Sequence, residues 1–236
     1  MKGRGLSMIE VKGISKKYLF KKVLKDVSFT VKKGEITCLI GVNRTGKSTT
    51  LKTITNLTPF NNGDILIDGI SIKKKRSDNI SFVPDHMTMP ANMKIRQAFQ
   101  FMKDFYPRWN EERAAELVDY MNIDVNQKIG ALSKGNAAKV SLILGLSLNT
   151  DYVLLDEPFS GIDLFAKEKI RNLFSSHFIE GRGILLTTHE IEEVEHLLDR
   201  VVILNDGVIV KDFYTEQMRM EEGKSVIDQL REVYQG

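Results

Sequence analysis

The fold is decided by the stretch Gly41-Val42-Asn43-Arg44-Thr45-Gly46-Lys47-Ser48, which fits the phosphate-binding pattern G-x-x-x-x-G-K-[ST]. An apolar, strand-like run (36–40) precedes it, and a helix-like run (49–54) follows it. Glycines let the backbone curl so that consecutive N–H groups point at a phosphate, and the next helix offers its positive N-terminal end. The stretch therefore predicts a strand, a phosphate-binding loop and a helix. Lys47 is expected to reach the β- and γ-phosphates, and Ser48 to bind Mg²⁺.

A second apolar run ends in two acids, Leu154-Leu155-Asp156-Glu157. Asp156 would fall at the carboxyl end of a strand, where open α/β sheets place their ligands, and it could hold Mg²⁺ through water. Glu157 could take a proton from an attacking water. Together with the phosphate-binding stretch, the two acids favour a nucleotide site over a solvated acidic turn.

Two further motifs are ambiguous when each is taken alone. In Leu132-Ser133-Lys134-Gly135-Asn136, Ser133 is a candidate helix N-cap and Gly135 would let the backbone approach an anion, but a plain cap is the simpler interpretation. His189 follows a strand-like run (184–188), where a neutral imidazole could contact a γ-phosphate or position water. A lone histidine of this kind is more often structural.

Composition places the chain among ordinary soluble globular proteins. Its 236 residues are 42% hydrophobic and 28% charged, with a net charge of +3. The densest basic run, Lys73-Lys74-Lys75-Arg76, favours a solvated face, so nucleic acid is not an expected partner. The longest apolar run (140–148) is too short to span a bilayer, and the first residues lack the apolar segment of a signal peptide, so a cytosolic location is predicted. Cys38, the one cysteine, is predicted to be a buried strand residue.

The order of secondary structure can also be predicted. Short strands separated by turns fill residues 8–40 and 64–69, and helices are predicted from about 93 to 148. Pro107 should end one helix and Asn110 should cap the next, while an all-round apolar run (137–148) predicts a buried helix. Asp206-Gly207 predicts a hairpin turn, and the charged tail from 215 onward is predicted to be helical.

Five motifs now occur in order with suitable spacing: the phosphate-binding stretch, Leu132-Ser133-Lys134-Gly135-Asn136, Leu155-Asp156-Glu157, Ser160-Gly161-Ile162-Asp163 and His189. Together they resemble the nucleotide-binding cassette of ABC transporters, over residues 9 to about 210. The resemblance implies an α/β fold: a P-loop NTPase core with a mostly parallel sheet, an N-terminal antiparallel β layer and an inserted helical subdomain. It divides a single domain, 1–236, into a core (8–84 and 150–212), a helical subdomain (86–149) and a helical tail (213–236).

The resemblance also implies a role for each candidate site residue. Glu157 would be the catalytic base and His189 the γ-phosphate sensor of an Mg²⁺-dependent ATPase. Mg²⁺ would be held by Ser48, Asp156 and Asp85. ATP or ADP would be bound by residues of the phosphate-binding stretch, of the 132–136 motif and of the two motifs that contain Asp156 and Asp163, and by an adenine-stacking tyrosine. These residues are Tyr18, Gly41, Val42, Asn43, Arg44, Thr45, Gly46, Lys47, Ser48, Thr49, Ser133, Lys134, Gly135, Asn136, Asp156 and Asp163.

Partners follow from the same resemblance. Two cassettes, identical or paralogous, would pack head to tail, with each ATP between the phosphate loop of one and the Ser133–Gly135 segment of the other. Asp163 would act across that interface. A membrane-spanning permease subunit would dock on the helical segment 87–131, where Phe99, Phe101, Phe105, Tyr106 and Trp109 are concentrated, although the helical core accounts for most of these aromatics. The chain would then lie on the inner face of the cell membrane.

Several positions depart from the family pattern. Arg44 stands where glycine is usual and Thr45 where a small residue is usual; Arg44 could add charge near the nucleotide or point to solvent. Lys134 and Asn136 replace a glycine and a glutamine, and Asp85 replaces a glutamine. Glu157 and His189 are retained, which argues against a non-hydrolysing regulatory module.

The variant Leu-Ser-Lys-Gly and the segment 105–109 resemble the subfamily that exports antimicrobial peptides and related drugs, including bacitracin-type and phenol-soluble-modulin-type exporters. An exporter ATPase is therefore the leading prediction. The alternative is a soluble ABC-type ATPase that acts on nucleic acid or ribosomes. The chain carries neither the long coiled coil of repair members nor the second cassette of translation members.

Overall fold

The structure is a computed structural model, and it describes residues 7–42, 44–74 and 78–235. Two sheets and a group of helices make up this part of the chain. Asn43, predicted to contact phosphate, lies outside the described residues.

The larger sheet has six strands in the order β10-β9-β3-β8-β7-β6. Their bounds are β3 Ile36–Ile40, β6 Ile80–Val83, β7 Tyr152–Asp156, β8 Gly183–Thr188, β9 Arg200–Asn205 and β10 Val208–Tyr214. All neighbours are parallel except the β9–β10 hairpin, which turns at Asp206-Gly207 as predicted. Every residue of β7 and β8 is buried because these parallel strands are covered on both faces, which is why most of their side chains are apolar.

The smaller sheet is antiparallel, with the order β2-β1-β4-β5. It contains β1 Met8–Tyr18, β2 Lys21–Lys32, β4 Asn62–Ile67 and β5 Ile70–Ser71. β1 and β2 are longer than the apolar alternation predicts. They continue as a lysine-rich, mostly exposed ribbon after the register shifts between Val11 and Lys17. The inner face of this sheet packs with Leu51 and Ile54 against one face of the larger sheet, including Leu154 and Leu185.

The helical segment lies against the other face of the larger sheet. It contains α2 Ile95–Phe105, α3 Glu111–Met121 and α4 Lys134–Leu146. As predicted, α2 ends just before Pro107, and Asn110 caps α3 by accepting a hydrogen bond from the Arg113 N–H at 2.9 Å. The buried helix α4 begins three residues before the predicted start because Ser133 caps it, and it ends at Leu146. The division into core, subdomain and tail stays a prediction.

Four more α-helices lie in the described chain: α1 Lys47–Ile54 after the phosphate loop, α5 Leu164–Leu173 after β7, and the tail helices α6 Thr215–Glu222 and α7 Val226–Gln235 beyond β10. In the described ranges, no helix is both long enough and apolar enough to cross a membrane. Cys38 is buried in β3, as predicted. The arrangement is the predicted α/β fold with an antiparallel layer and a helical insertion.

Candidate active site

The phosphate loop leaves the end of β3 and is pressed against two neighbouring strands. A Cβ atom at Gly41 would lie 2.3 Å from the Leu204 carbonyl oxygen, and one at Gly46 would lie 2.8 Å from the Leu24 side chain. Gly46 also has φ of 112°, which side chains disfavour. Both glycines are therefore required by the tight path of this loop.

The middle of the loop carries a non-glycine residue in the left-handed region. Arg44 has φ of 70°, at the position where the family usually has glycine, and its side chain is exposed. Left-handed backbone at a non-glycine residue costs about 1–2 kcal/mol. The Thr45 hydroxyl, by contrast, is turned inward and donates to the Val42 carbonyl at 2.9 Å. Both interpretations of Arg44 stay predictions, because an exposed side chain on this loop fits either one.

Lys47 is the buried cation of the loop, with only 5% of its surface exposed. Its ammonium donates to the Gly41 carbonyl at 2.7 Å and reaches the Val42 carbonyl at 3.5 Å. It also lies 3.5 Å from a carboxylate oxygen of Glu157. The positive charge is thus held among the loop carbonyls and beside the predicted catalytic base.

The N-terminus of α1 is suited to an anion. Gly46 precedes the helix, and within the described chain no side chain caps the first turn and no acid lies in it. The first N–H groups of a helix have no partner within the helix, and the helix dipole favours negative charge there. Lys47, Ser48 and Thr49 form this first turn, so the predicted phosphate ligands are presented together.

Asp156 ends β7 and is almost fully buried. One of its carboxylate oxygens accepts hydrogen bonds from the Thr187 hydroxyl at 2.7 Å and the Ser48 hydroxyl at 3.0 Å. The other oxygen is buried and has no hydrogen-bond partner among the described residues. Burial raises the pKa of Asp156, against the lowering effect of the two hydroxyls. An orphaned buried oxygen beside a serine hydroxyl is a donor set that fits Mg²⁺, which prefers carboxylate and hydroxyl oxygens.

Asp85 does not join that pair in the described structure. It follows β6, and its carboxylate lies 2.6 Å from the His86 ring nitrogen, with no hydrogen bond to Ser48 or Asp156. Its negative charge is nevertheless close enough to contribute to the raised pKa of Asp156. Ser48 and Asp156 are therefore brought together, and Asp85 stands nearby without touching either.

Glu157 is held from three sides. Its backbone has φ of 50°, and its N–H donates to the Thr187 carbonyl and hydroxyl oxygens. One carboxylate oxygen lies 2.8 Å from the His189 ring and accepts from the His189 N–H at 3.2 Å, while the other faces Lys47. The predicted base and the predicted sensor are thus in direct contact. Thr187, which sequence reasoning missed, joins them to Asp156.

The second group of candidate residues surrounds the start of α4. The Ser133 hydroxyl accepts from the Asn136 N–H at 3.2 Å, and Asp163 caps α5 by accepting from the Ala166 N–H at 2.9 Å. Gly135 is buried so close to Asp163 that an added Cβ would lie 2.9 Å from its carboxylate. Lys134 is exposed. Across the described residues, no hydrogen bond or ion pair joins this group to the phosphate loop.

Tyr18 lies apart from both groups, at the end of β1. The residue is 45% exposed, and the Lys16 ammonium lies over its ring, 4.6 Å from the ring centre. The adenine-stacking role of Tyr18 stays a prediction.

A family model described as ABC transporter matches residues 24–160. The chain belongs to the ABC transporter family. It is 32% identical to the ABC transporter ATP-binding protein YtrB of Bacillus subtilis (strain 168), over 91% of this chain and 74% of that protein. It is 29% identical to the SkfA peptide export ATP-binding protein SkfE of the same organism, over 96% of this chain and 98% of that protein.

The cassette is also similar to a solved structure, the dimeric post-hydrolysis state of the ATP-binding cassette MJ0796 bound to ADP and Pi. The TM-score is 0.78 at 25% identity, covering 87% of this chain and 98% of that one. The family prediction and the fold prediction are therefore confirmed. The chain is the ATP-binding, ATP-hydrolysing cassette of a transporter.

Proposed function

We propose that this cassette is the ATPase subunit of an exporter, binding MgATP between two cassettes packed head to tail and driving a separate membrane-spanning subunit. The observation that carries the proposal is the division of the site. Lys47, Ser48, Asp156, Glu157 and His189 form one group, and the Ser133–Asn136 segment forms another; among the described residues, no hydrogen bond or ion pair joins the two. Each group then completes its site with the opposite group of a partner cassette, as the dimeric neighbour supports.

Each residue of the first group has a definite task in hydrolysis. The α1 N-terminus and Lys47 would bind the β- and γ-phosphates, and Ser48 and Asp156 would hold Mg²⁺, which would supply positive charge next to the phosphates. When Lys47 turns to the phosphates it leaves Glu157, whose carboxylate can then accept a proton from the attacking water. His189 keeps that carboxylate in place and senses the γ-phosphate. Asp85 remains a proposed additional Mg²⁺ ligand.

Association of two cassettes is the first consequence that can be measured. A Glu157→Gln cassette, in which hydrolysis is blocked, is expected to shift from monomer to dimer when ATP is added. The reason is that each nucleotide needs Ser133 and Gly135 of the partner. Sedimentation velocity at saturating ATP measures the shift, and ADP provides the control because it lacks the γ-phosphate. A protein that stays monomeric with ATP would exclude a homodimer and point to a second, paralogous cassette.

A groove of about 950 Å³ supports the membrane partner. It lies between the end of α1, the loop after β6 and the end of α2, and Phe101, Phe105 and Tyr106 line it with their rings in contact. Phe105 is 68% exposed. Phe99 and Trp109 instead pack against each other and the core. The five aromatic residues therefore separate into two core residues and three that form an apolar docking surface for a short helix of the permease.

A charge in that groove is expected to release the membrane partner. Phe105→Glu should reduce the amount of polytopic membrane protein recovered with the tagged cassette from detergent-solubilised membranes, and ATP binding by the isolated cassette should be unchanged. Met220→Glu is the matched control, because Met220 is also exposed but lies on α6 outside the groove. Equal recovery with both variants would remove the groove from the docking surface. Recovery with ribosomes or nucleic acid alone would favour the soluble alternative.

The proposed substrate class is based on the names of similar proteins. A protein 29% identical over nearly its full length is named as a peptide export ATP-binding protein, and peptides or drugs are therefore the proposed cargo. The permease would keep the cassette on the inner face of the cell membrane. Finding a neighbouring reading frame that encodes a six-span hydrophobic protein would be the simplest support for this location.

A further inference from the structure

The last helix of the described chain reaches the phosphate loop. Tyr234 lies in α7, and its hydroxyl oxygen accepts a hydrogen bond from the Val42 N–H at 3.3 Å. The same hydroxyl donates to the Leu204 carbonyl at 3.4 Å. Tyr234 thus bridges the end of β9 and the start of the phosphate loop. Gly41 lies between these two contacts, and it is so close to the Leu204 carbonyl that a side chain there has no room.

The helix that carries Tyr234 is firmly attached. Val226 at its start is fully buried, and its N–H donates to Glu195 at 2.9 Å. Glu232, further along, accepts from Lys211 at 2.8 Å and from Lys224 at 2.7 Å. An apolar stripe with helical spacing faces the core: Val226, Ile227, Leu230, Val233 and Tyr234. The phenol is therefore held at the loop by the packing of the whole helix.

Val42 links this contact to the nucleotide ligands. Its carbonyl accepts from the Thr45 hydroxyl at 2.9 Å and faces the Lys47 ammonium at 3.5 Å. Fixing the Val42 N–H therefore fixes one of the two residues whose carbonyls the Lys47 ammonium contacts. Tyr234 uses the Val42 N–H and leaves the first turn of α1, which is to meet the phosphates, untouched. Burial raises the pKa of the Tyr234 phenol, against the lowering effect of the Val42 N–H.

We propose that Tyr234 is a positioning residue for ATP binding, and that α7 is thereby a structural part of the nucleotide site. This inference rests on the proposed role of the phosphate loop. The tail helix would then raise the nucleotide affinity of its own chain, before any partner cassette is bound.

The test uses Tyr234→Phe in the full chain, which removes the hydroxyl and keeps the ring. Loss of one hydrogen bond is expected to raise the KM and the Kd for ATP about 3- to 10-fold. We expect kcat to be unchanged, because no reacting atom is touched. Without nucleotide, amide hydrogen exchange in a peptide covering residues 41–48 should be faster, while exchange in β7 should match the parent.

Tyr214→Phe is the matched control. Its hydroxyl accepts a hydrogen bond from Lys32. In the antiparallel β9–β10 pair, Tyr214 lies opposite Arg200, at the end of β9 that is remote from Leu204 and the phosphate loop. This variant should keep the parental Kd and KM. Unchanged Kd and loop exchange in Tyr234→Phe would overturn the inference, and so would tighter ATP binding, since the contact would then be inhibitory. A parent chain that binds no ATP would instead overturn the proposed function, and the exchange measurement would still decide the loop contact.

Discussion

Replacing Glu157 with glutamine is expected to slow ATP hydrolysis by about 10²- to 10⁴-fold, the usual loss when a general base is removed. Glutamine has the same shape and its side-chain oxygen can still accept from the His189 N–H, which the Glu157 carboxylate does at 3.2 Å. It cannot accept the water proton. ATP binding should therefore persist. Phosphate release in single-turnover experiments, together with a nucleotide titration, measures the two effects separately.

Glu190→Gln is the control for this variant. Glu190 is the next residue after His189, lies 3.8 Å from the other nitrogen of its ring and is paired with Lys167. The same loss of charge at that position should leave hydrolysis close to the parental rate. A Glu157→Gln cassette that turns over at the parental rate would show that another group accepts the proton.

Replacing Lys47 with alanine is expected to weaken ATP binding by about 10- to 100-fold, because hydrogen bonds to charged groups contribute more than neutral ones. Two losses add up in this variant. The phosphates lose a cation, and the Gly41 and Val42 carbonyls lose the donor now at 2.7 and 3.5 Å. Hydrolysis at subsaturating ATP should fall at least in proportion. Titration with a fluorescent ATP analogue gives the affinity.

Lys52→Ala is the matched control, because it distinguishes an effect on the nucleotide site from an effect on the helix that carries Lys47. Lys52 is in the last turn of α1, so the same substitution removes a lysine from the same helix without touching the loop. ATP affinity should match the parent. An unchanged affinity in Lys47→Ala would mean that the ammonium stays on the loop carbonyls when nucleotide binds.

Local signals were sufficient to predict most of the fold and the position of the phosphate loop. The phosphate loop, the caps at Asn110 and Ser133 and the hairpin at Asp206-Gly207 each depend on residues within a few positions of one another. The length of β1 and β2 was not predictable, since lysines interrupt the apolar alternation where the ribbon becomes exposed. Their continuation is set by pairing between strands.

Contacts between distant parts of the chain had no local signal. Thr187 meets Asp156 across 31 residues because β7 and β8 are neighbours in register, and a buried polar residue at a strand end was the only available clue. Tyr234 meets Val42 across 192 residues. The sequence predicted a charged helix for the tail, whereas the position of that helix depends on how its apolar stripe packs.

The contacts that Lys47 makes within the phosphate loop have a consequence for the kinetics of nucleotide capture. Because its ammonium donates to the Gly41 carbonyl and reaches the Val42 carbonyl, contacts within the loop itself stabilise its curled form, and an arriving nucleotide meets a preorganised cradle. Association is then not slowed by ordering of the loop. Differences in ATP affinity among variants of this loop should appear mainly as differences in residence time, as is usual for binding to a preformed surface.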